Sequence, residues 1–323
     1  ISPELISACF CKYDTAICLQ HTSGTCHGRQ KIGQTCFYRG ISMKLSLSVR
    51  VAEAPGSKKE TIRSFDEVSE IALQIGYQAV CMRASQVGIQ TALQKITSVK
   101  KKVQELDLAV SMVTGDFPIP INNDQGPGAL RNIAPYLELA VLLGSNLIRI
   151  AMKTEEDIIW AQRASDEANE RNVRLAHQSH TLSLFETVDG SLDVLNRVNR
   201  PNFGLIYEPA NLDLCGQDYG IKTIKKFAPH LFNVYLQNHV QHPKGKVPAQ
   251  TWINGHTPYD PIRLQDQNGI DFPLVFQGLK EIGYHGYITV HQAFADIMTP
   301  EDAARQSFDY LTQLADFEVK ARN

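Results

Sequence analysis

From Lys44 onward, short stretches whose apolar residues recur every second position alternate with longer stretches whose apolar residues recur every third and fourth. Residues 44–49 set the first pattern: Ser46 and Ser48 fall on one side, and Leu45, Leu47 and Val49 on the other. That alternation is the mark of a strand with two unlike faces. Further strands are expected at 79–83, 108–113, 146–151, 173–178, 204–208, 231–236 and 286–290. Phe65, Val68, Ile71, Ala72 and Ile75 give the second pattern and predict a helix over 64–75; Leu93, Ile96, Val99 and Val103 predict another over 89–106. Helices are also expected at 130–143, 154–170, 190–198, 221–227, 272–282 and 300–317. Gly76 and Gly144 stand where a helix end takes a left-handed residue, and Thr154 before Glu155, Glu156 and Asp157 suits a helix start. Segments 114–128 and 239–268 are expected to be long loops.

Strands that alternate regularly with helices imply a parallel sheet. Eight such units imply an α/β fold of the (β/α)8 TIM barrel type over residues 43–323. An open, doubly wound sheet is the alternative, but no glycine-rich nucleotide fingerprint follows the first strand.

In a barrel, alternate strand residues point inward, and chemistry sits at the C-terminal strand ends. One side of strand after strand is polar. Cys81 and Arg83 oppose Val80 and Met82, and Arg149 opposes Ile148 and Ile150. Arg174, Ala176, Gln178 and His180 oppose Val173 and Leu175; Asn233, Tyr235 and Gln237 oppose Val234 and Leu236; Thr289 and His291 oppose Ile288 and Val290. A polar lumen mouth follows. By the same parity His177 faces the helices.

The 323 residues are 43% hydrophobic with net charge −2, and the basic residues are dispersed, which disfavours a nucleic-acid binder. No apolar run approaches the roughly 18 residues of a membrane span. Five of the seven cysteines, Cys9, Cys11, Cys18, Cys26 and Cys36, lie ahead of residue 43, and their spacing fits no zinc template. Residues 1–42 are therefore expected to be a poorly ordered or non-native extension, with Met43 as the natural start. The cysteine-poor remainder suits a reducing, cytoplasmic setting.

Glu208, between Tyr207 and Pro209 at the end of an apolar strand, is costly there unless paired or liganding. With His291 it forms the candidate catalytic pair. Gln178, His180, Gln237 and His239 are candidate substrate-binding groups at strand ends. Arg83, Arg149 and Arg263 can bind anionic or hydroxyl-rich groups bidentately, and Trp252 can stack on a sugar face. Glu208, His291 and His180 are the candidate metal ligands.

Residues 138–149 (Glu-Leu-Ala-Val-Leu-Leu-Gly-Ser-Asn-Leu-Ile-Arg), 268–273 (Asn-Gly-Ile-Asp-Phe-Pro) and 279–290 (Leu-Lys-Glu-Ile-Gly-Tyr-His-Gly-Tyr-Ile-Thr-Val) resemble framework segments of the xylose isomerase-like TIM barrels, the broad sugar phosphate isomerase/epimerase superfamily. The resemblance covers nearly everything after Met43. It implies one divalent metal (Mn, Zn or Mg) held by Glu, Asp, His and Glu on strands five to eight. Carried over, those ligands fall on Gln178, Glu208, Tyr235 or Gln237, and His291, so no position keeps its usual residue. The family's second-strand Glu is Cys81 here, and its Arg before the last helix survives as Arg263. In the usual mechanism two carboxylates move the proton next to a carbonyl, and Gln178 cannot serve as such a base. The implied function is a sugar isomerase, epimerase or lyase acting on a small-molecule sugar, with no nucleic acid, no membrane and a homo-oligomer left open. The alternative is a non-catalytic sugar-binding or partner subunit that has lost the metal. The apurinic endonuclease branch would need a richer metal cluster and a basic surface.

Overall fold

The structure, a computed structural model, describes residues 42–318. The expectations for residues 1–41 lie outside the described residues. Eight parallel strands close into a barrel: Lys44–Ser48, Ala79–Arg83, Ala109–Thr114, Leu147–Ile150, Arg174–Gln178, Phe203–Tyr207, Leu231–Leu236 and Tyr287–Val290. The first strand pairs with the eighth, Leu45 opposite Ile288 and Ser46 opposite Thr289, so no barrel edge is left open. The expected (β/α)8 architecture is therefore what the chain adopts.

Helices cover the outside, and their ends show why they start and stop. Ser64 and Glu67 form a reciprocal capping box on Phe65–Ile75, and Gly76 ends that helix at φ +120°. Thr187, Asp271 and Thr299 cap the helices Val188–Val198, Phe272–Glu281 and Pro300–Leu314. Several expectations shift. The helix expected at 130–143 is two, Gly128–Arg131 and Ala134–Leu143, because Pro135 is tolerated only in a first turn. The helix expected from Thr154 begins at Asp157, whose carboxylate accepts from the amides of Lys153 and Thr154. The segment 239–268 is not a plain loop: Asn238–Gln241 pairs antiparallel with Tyr259–Ile262, and a short helix, Pro209–Leu214, follows the sixth strand. Among the described residues no helix is long and apolar enough to cross a membrane.

The lumen is layered. At its base Ser46 Oγ lies 2.7 Å from Ser111 Oγ, and the Thr289 hydroxyl donates to Asn233 Oδ1. Above them Cys81, Met112, Leu147, Ala176, Ile206 and Tyr235 form a small apolar core, separate from the large core between strands and helices. This apolar plug isolates the polar base from the mouth, so the third layer, Ser48, Arg83, Arg149, Gln178, Gln237 and His291, opens only toward the C-terminal end. His177 lies outside the barrel, stacked on Phe185 at 4.1 Å, as parity requires. Burial there pushes its imidazole down to about 3.

Candidate functional site

A cavity of about 330 Å³ occupies the C-terminal mouth. Strand parity brings Arg83, Arg149, Gln178, Gln237 and His291 to its wall, and His180 joins them from the turn after the fifth strand. An adjoining cavity of about 280 Å³ shares Arg50, Lys58, Gln237 and Tyr259 with the first and adds His239.

Glu208 organises the floor without lining it. It sits one residue past the sixth strand and is 0% exposed. The side-chain amide of Asn211 donates to its Oε2 at 2.7 Å. The amides of Gln178 and Gln237 donate to Oε2 and Oε1. These three amides, which do line the cavity, stand between the carboxyl and the open space. Burial raises the Glu208 carboxyl to about 8, while Arg50, Arg149 and the Gln237 amide pull it back. Gln237 passes the connection on: its Oε1 accepts from Arg50 Nη1 at 3.0 Å, and the same Nη1 donates to the carbonyl of His291 at 3.1 Å.

His291 faces the cavity from the end of the eighth strand. Its ring stacks on Tyr235 at 4.1 Å, and its Nδ1 lies 3.2 Å from Ser48 Oγ. Burial, with Arg50, Arg83, Arg149 and Lys58 nearby, holds the imidazole well below its ordinary value of 6.5. His291 is thus a neutral imidazole at neutral pH. His180 is held down in the same way, by burial and then by Arg149. Its Nδ1 lies 2.9 Å from the Thr181 carbonyl, in a turn that ends at Leu182 with φ +54°. A bulky residue in that region is strained. The strain is held by Glu186, which accepts from the Leu182 amide at 2.7 Å and from the amides of Trp252 and Ile253. One buried carboxylate therefore ties the His180 turn to the long seventh loop. Glu186→Gln is expected to cost about 1–3 kcal/mol, because an amide cannot accept at both of its termini. Limited proteolysis should then nick the 250–256 segment faster than in wild type.

The cations are unevenly paired. Arg83 Nε donates to Glu53 Oε1 at 2.7 Å, both side chains being buried. Arg149 is 3% exposed, makes no ion pair among the described residues, and has an Nε without a hydrogen-bond partner. Arg50 Nε also lacks one. Lys58 donates to the Pro120 carbonyl, and burial together with the three arginines pushes it down to about 7.

Three sequence expectations are corrected. Trp252 is 53% exposed and does not line the cavity; its backbone, not its ring, serves the site. Arg263 lies outside the cavity in a surface pair with Asp266 at 2.7 Å. Glu208 does not reach the cavity as a proton-transfer group would. His239 stands at the rim, 2.9 Å from Asp213 Oδ2. Sequence reasoning missed Arg50, Lys58 and Tyr259. Arg50 was within reach, since the i, i+2 series of Ser46 and Ser48 continues to it; Lys58 and Tyr259 come from segments with no periodicity.

The implied divalent metal does not fit these residues. Among the described residues no three His, Cys, Asp or Glu side chains are placed to hold an ion. Two of the expected ligand positions carry amides that turn their N–H groups onto Glu208, and guanidinium groups repel a cation from the space beside them.

No curated protein matches this chain. Solved structures with the same fold do. A xylose isomerase domain protein from Planctomyces limnophilus superposes with a TM-score of 0.64 at 16% identity, covering 84% of this chain and 96% of that one. A D-allulose 3-epimerase from Methylomonas sp. gives 0.62 at 15% identity, covering 84% and 98%. A xylose isomerase-like TIM barrel protein from Mycobacterium smegmatis, in complex with magnesium, gives 0.60 at 13% identity, covering 84% and 96%. A family model matches residues 69–314, so the chain belongs to the xylose isomerase-like TIM barrel family.

Proposed function

We propose that this protein is a sugar isomerase or epimerase-type enzyme that moves a proton at the carbon next to a carbonyl, with His291 as the proton carrier. The observation that carries the proposal is a buried imidazole that lines the cavity together with a buried guanidinium that has no ion pair among the described residues. When His291 Nδ1–H donates to Ser48, Nε2 presents a lone pair to the substrate. Nε2 takes the α-proton, the C–H electrons form the enediol double bond, and the carbonyl oxygen becomes an oxyanion. Arg149 and Arg50, which line the same cavity, stabilise that charge as preorganised donors do. The neighbouring hydroxyl gives its proton to the oxyanion as its own C–O becomes the new carbonyl, and the imidazolium returns its proton to the former carbonyl carbon, completing an isomerisation. Epimerisation at one carbon needs a second carrier on the opposite face, and His180, which shares the cavity, is the candidate. Glu208 acts as a positioning residue that holds Gln178, Gln237 and, through Gln237, Arg50.

The family and its fold support this assignment, and one structural neighbour is an epimerase for D-allulose. The test is proton exchange. A panel of ketoses and aldoses, D-allulose included, is incubated with the protein in D2O and followed by NMR. Deuterium should enter at the carbon next to the carbonyl with wild type and not with His291→Gln. Binding of a sugar with no exchange would place the chain among non-catalytic sugar binders instead.

A further inference from the structure

Arg50, Lys58, Arg83 and Arg149 come from four separate places in the chain: the turn after the first strand, the following loop, and the ends of the second and fourth strands. All four line the cavity that holds His291. Against them stand two carboxyls. Glu53 is spent on Arg83, and Glu208 lies beneath the amide floor. Arg149, buried and without an ion pair among the described residues, has no counter-charge of its own. A buried guanidinium without a counter-charge, with further cations beside it, is unfavourable in the free protein. That cost is offset when an anion enters, because charge-assisted guanidinium pairs are strong in a desolvated cleft.

We propose that this cluster is an oxyanion cradle and that the substrate is an acidic carbohydrate carrying a carboxylate directly beside its reacting carbonyl. The position of the cluster favours this chemistry over a phosphate ester. The cations surround the imidazole that moves the proton, so the negative group sits next to the reacting carbon. A phosphate on a sugar's terminal carbon would lie at the far end of the substrate. A carboxylate attached to the carbonyl carbon presents its planar pair of oxygens to a guanidinium fork within reach of His291. The proposal rests on the proton-transfer role of His291 only for what happens after binding; the recognition itself is independent of turnover.

A matched set of probes tests it. 2-Keto-D-gluconate has the skeleton of D-fructose with a carboxylate at the first carbon, and D-fructose 6-phosphate carries its charge at the other end. Each is titrated into the full chain by calorimetry at low and moderate salt. 2-Keto-D-gluconate is expected to bind at least about 10-fold more tightly than D-fructose, and more tightly than D-fructose 6-phosphate. Raising the salt should weaken only the charged ligands. Arg149→Gln should lower the affinity for the keto acid by about 10- to 100-fold, as expected for losing hydrogen bonds to a charged group, and lower that for D-fructose by a clearly smaller factor. Lys58→Met, at the rim, gives the same direction with a smaller loss and guards against a folding defect at Arg149. Equal or tighter binding of D-fructose, or tighter binding of the phosphate ester, overturns the proposal, as does unaltered keto-acid binding in both variants. His291→Gln separates the two ideas. Keto-acid binding that persists in wild type and in this variant, with no exchange in either, sustains the cradle and refutes the proton-transfer role. Exchange on neutral sugars with no preference for the acid does the reverse.

Discussion

His291→Gln is expected to lower kcat/KM by about 10²- to 10⁴-fold, the range spanned by a positioned general base, with substrate affinity little changed. Glutamine keeps a polar group of similar reach but cannot take up a proton near neutral pH. The stack on Tyr235 and the contact with Ser48 hold the ring in place, so the loss falls on the chemical step rather than on the fold. The pH profile gives a second check. Because burial and four nearby cations hold this imidazole well below 6.5, the acid limb of kcat/KM should lie below the value for a histidine in water. Lys58→Met removes one of those cations, so the limb should move upward, toward 6.5.

Replacing Glu208 carries the largest expected effect on stability. Glu208→Ala leaves the amides of Gln178, Gln237 and Asn211 without their acceptor and opens a hole under the floor. A loss of about 2–5 kcal/mol is expected, which is roughly 5–15 °C in Tm for a domain of this size. Glu208→Gln keeps the volume and isolates the titration. The folded-state carboxyl is raised from its ordinary 4.5 to about 8, so the folded protein holds a proton that the unfolded chain has released. Its stabilising contribution is complete below about 4.5 and is lost as pH rises through 8. Wild type should therefore lose stability relative to Glu208→Gln across that window, by up to about 1.4 kcal/mol per pH unit. Denaturant unfolding of both proteins at several pH values measures the difference. The buried histidines act with the opposite sign. His177, His180 and His291 are held below 6.5, so their contribution is present above 6.5 and is lost as pH falls.

The barrel was legible in the sequence because its determinants are local. A period of two in eight short stretches, a helical spacing between them, and capping signals such as Ser64 with Glu67 and Gly76 all act within a few residues. The inward face was legible for the same reason: parity carries Gln178, Gln237, Arg149 and His291 to one mouth once the barrel is closed. What failed depended on partners remote in sequence or on segments without a period. Glu208 was correctly singled out as a buried carboxylate in need of partners. Those partners are the side-chain amides of Gln178 and Gln237, remote in sequence, and of Asn211, which enclose it beneath the cavity. Arg263 drew attention by its resemblance to a family residue, yet Asp266 three positions on takes its charge at the surface. Lys58 reaches the cavity from a loop where no periodicity aims a side chain, and Arg50 from the 3-10 turn in which the alternation of the first strand ends. Their arrival changes the character of the site, from a place suited to a metal cation to one suited to an anion.

Proton transfer on His291 and guanidinium groups, without a metal, is open to direct measurement. The decisive measurement is deuterium exchange next to the carbonyl of 2-keto-D-gluconate, followed by NMR, with protein dialysed exhaustively against a chelator and its metal content checked. Exchange at the undialysed rate in wild type, and its loss in His291→Gln, is the predicted result. Exchange that disappears on chelation and returns with magnesium, manganese or zinc would contradict it.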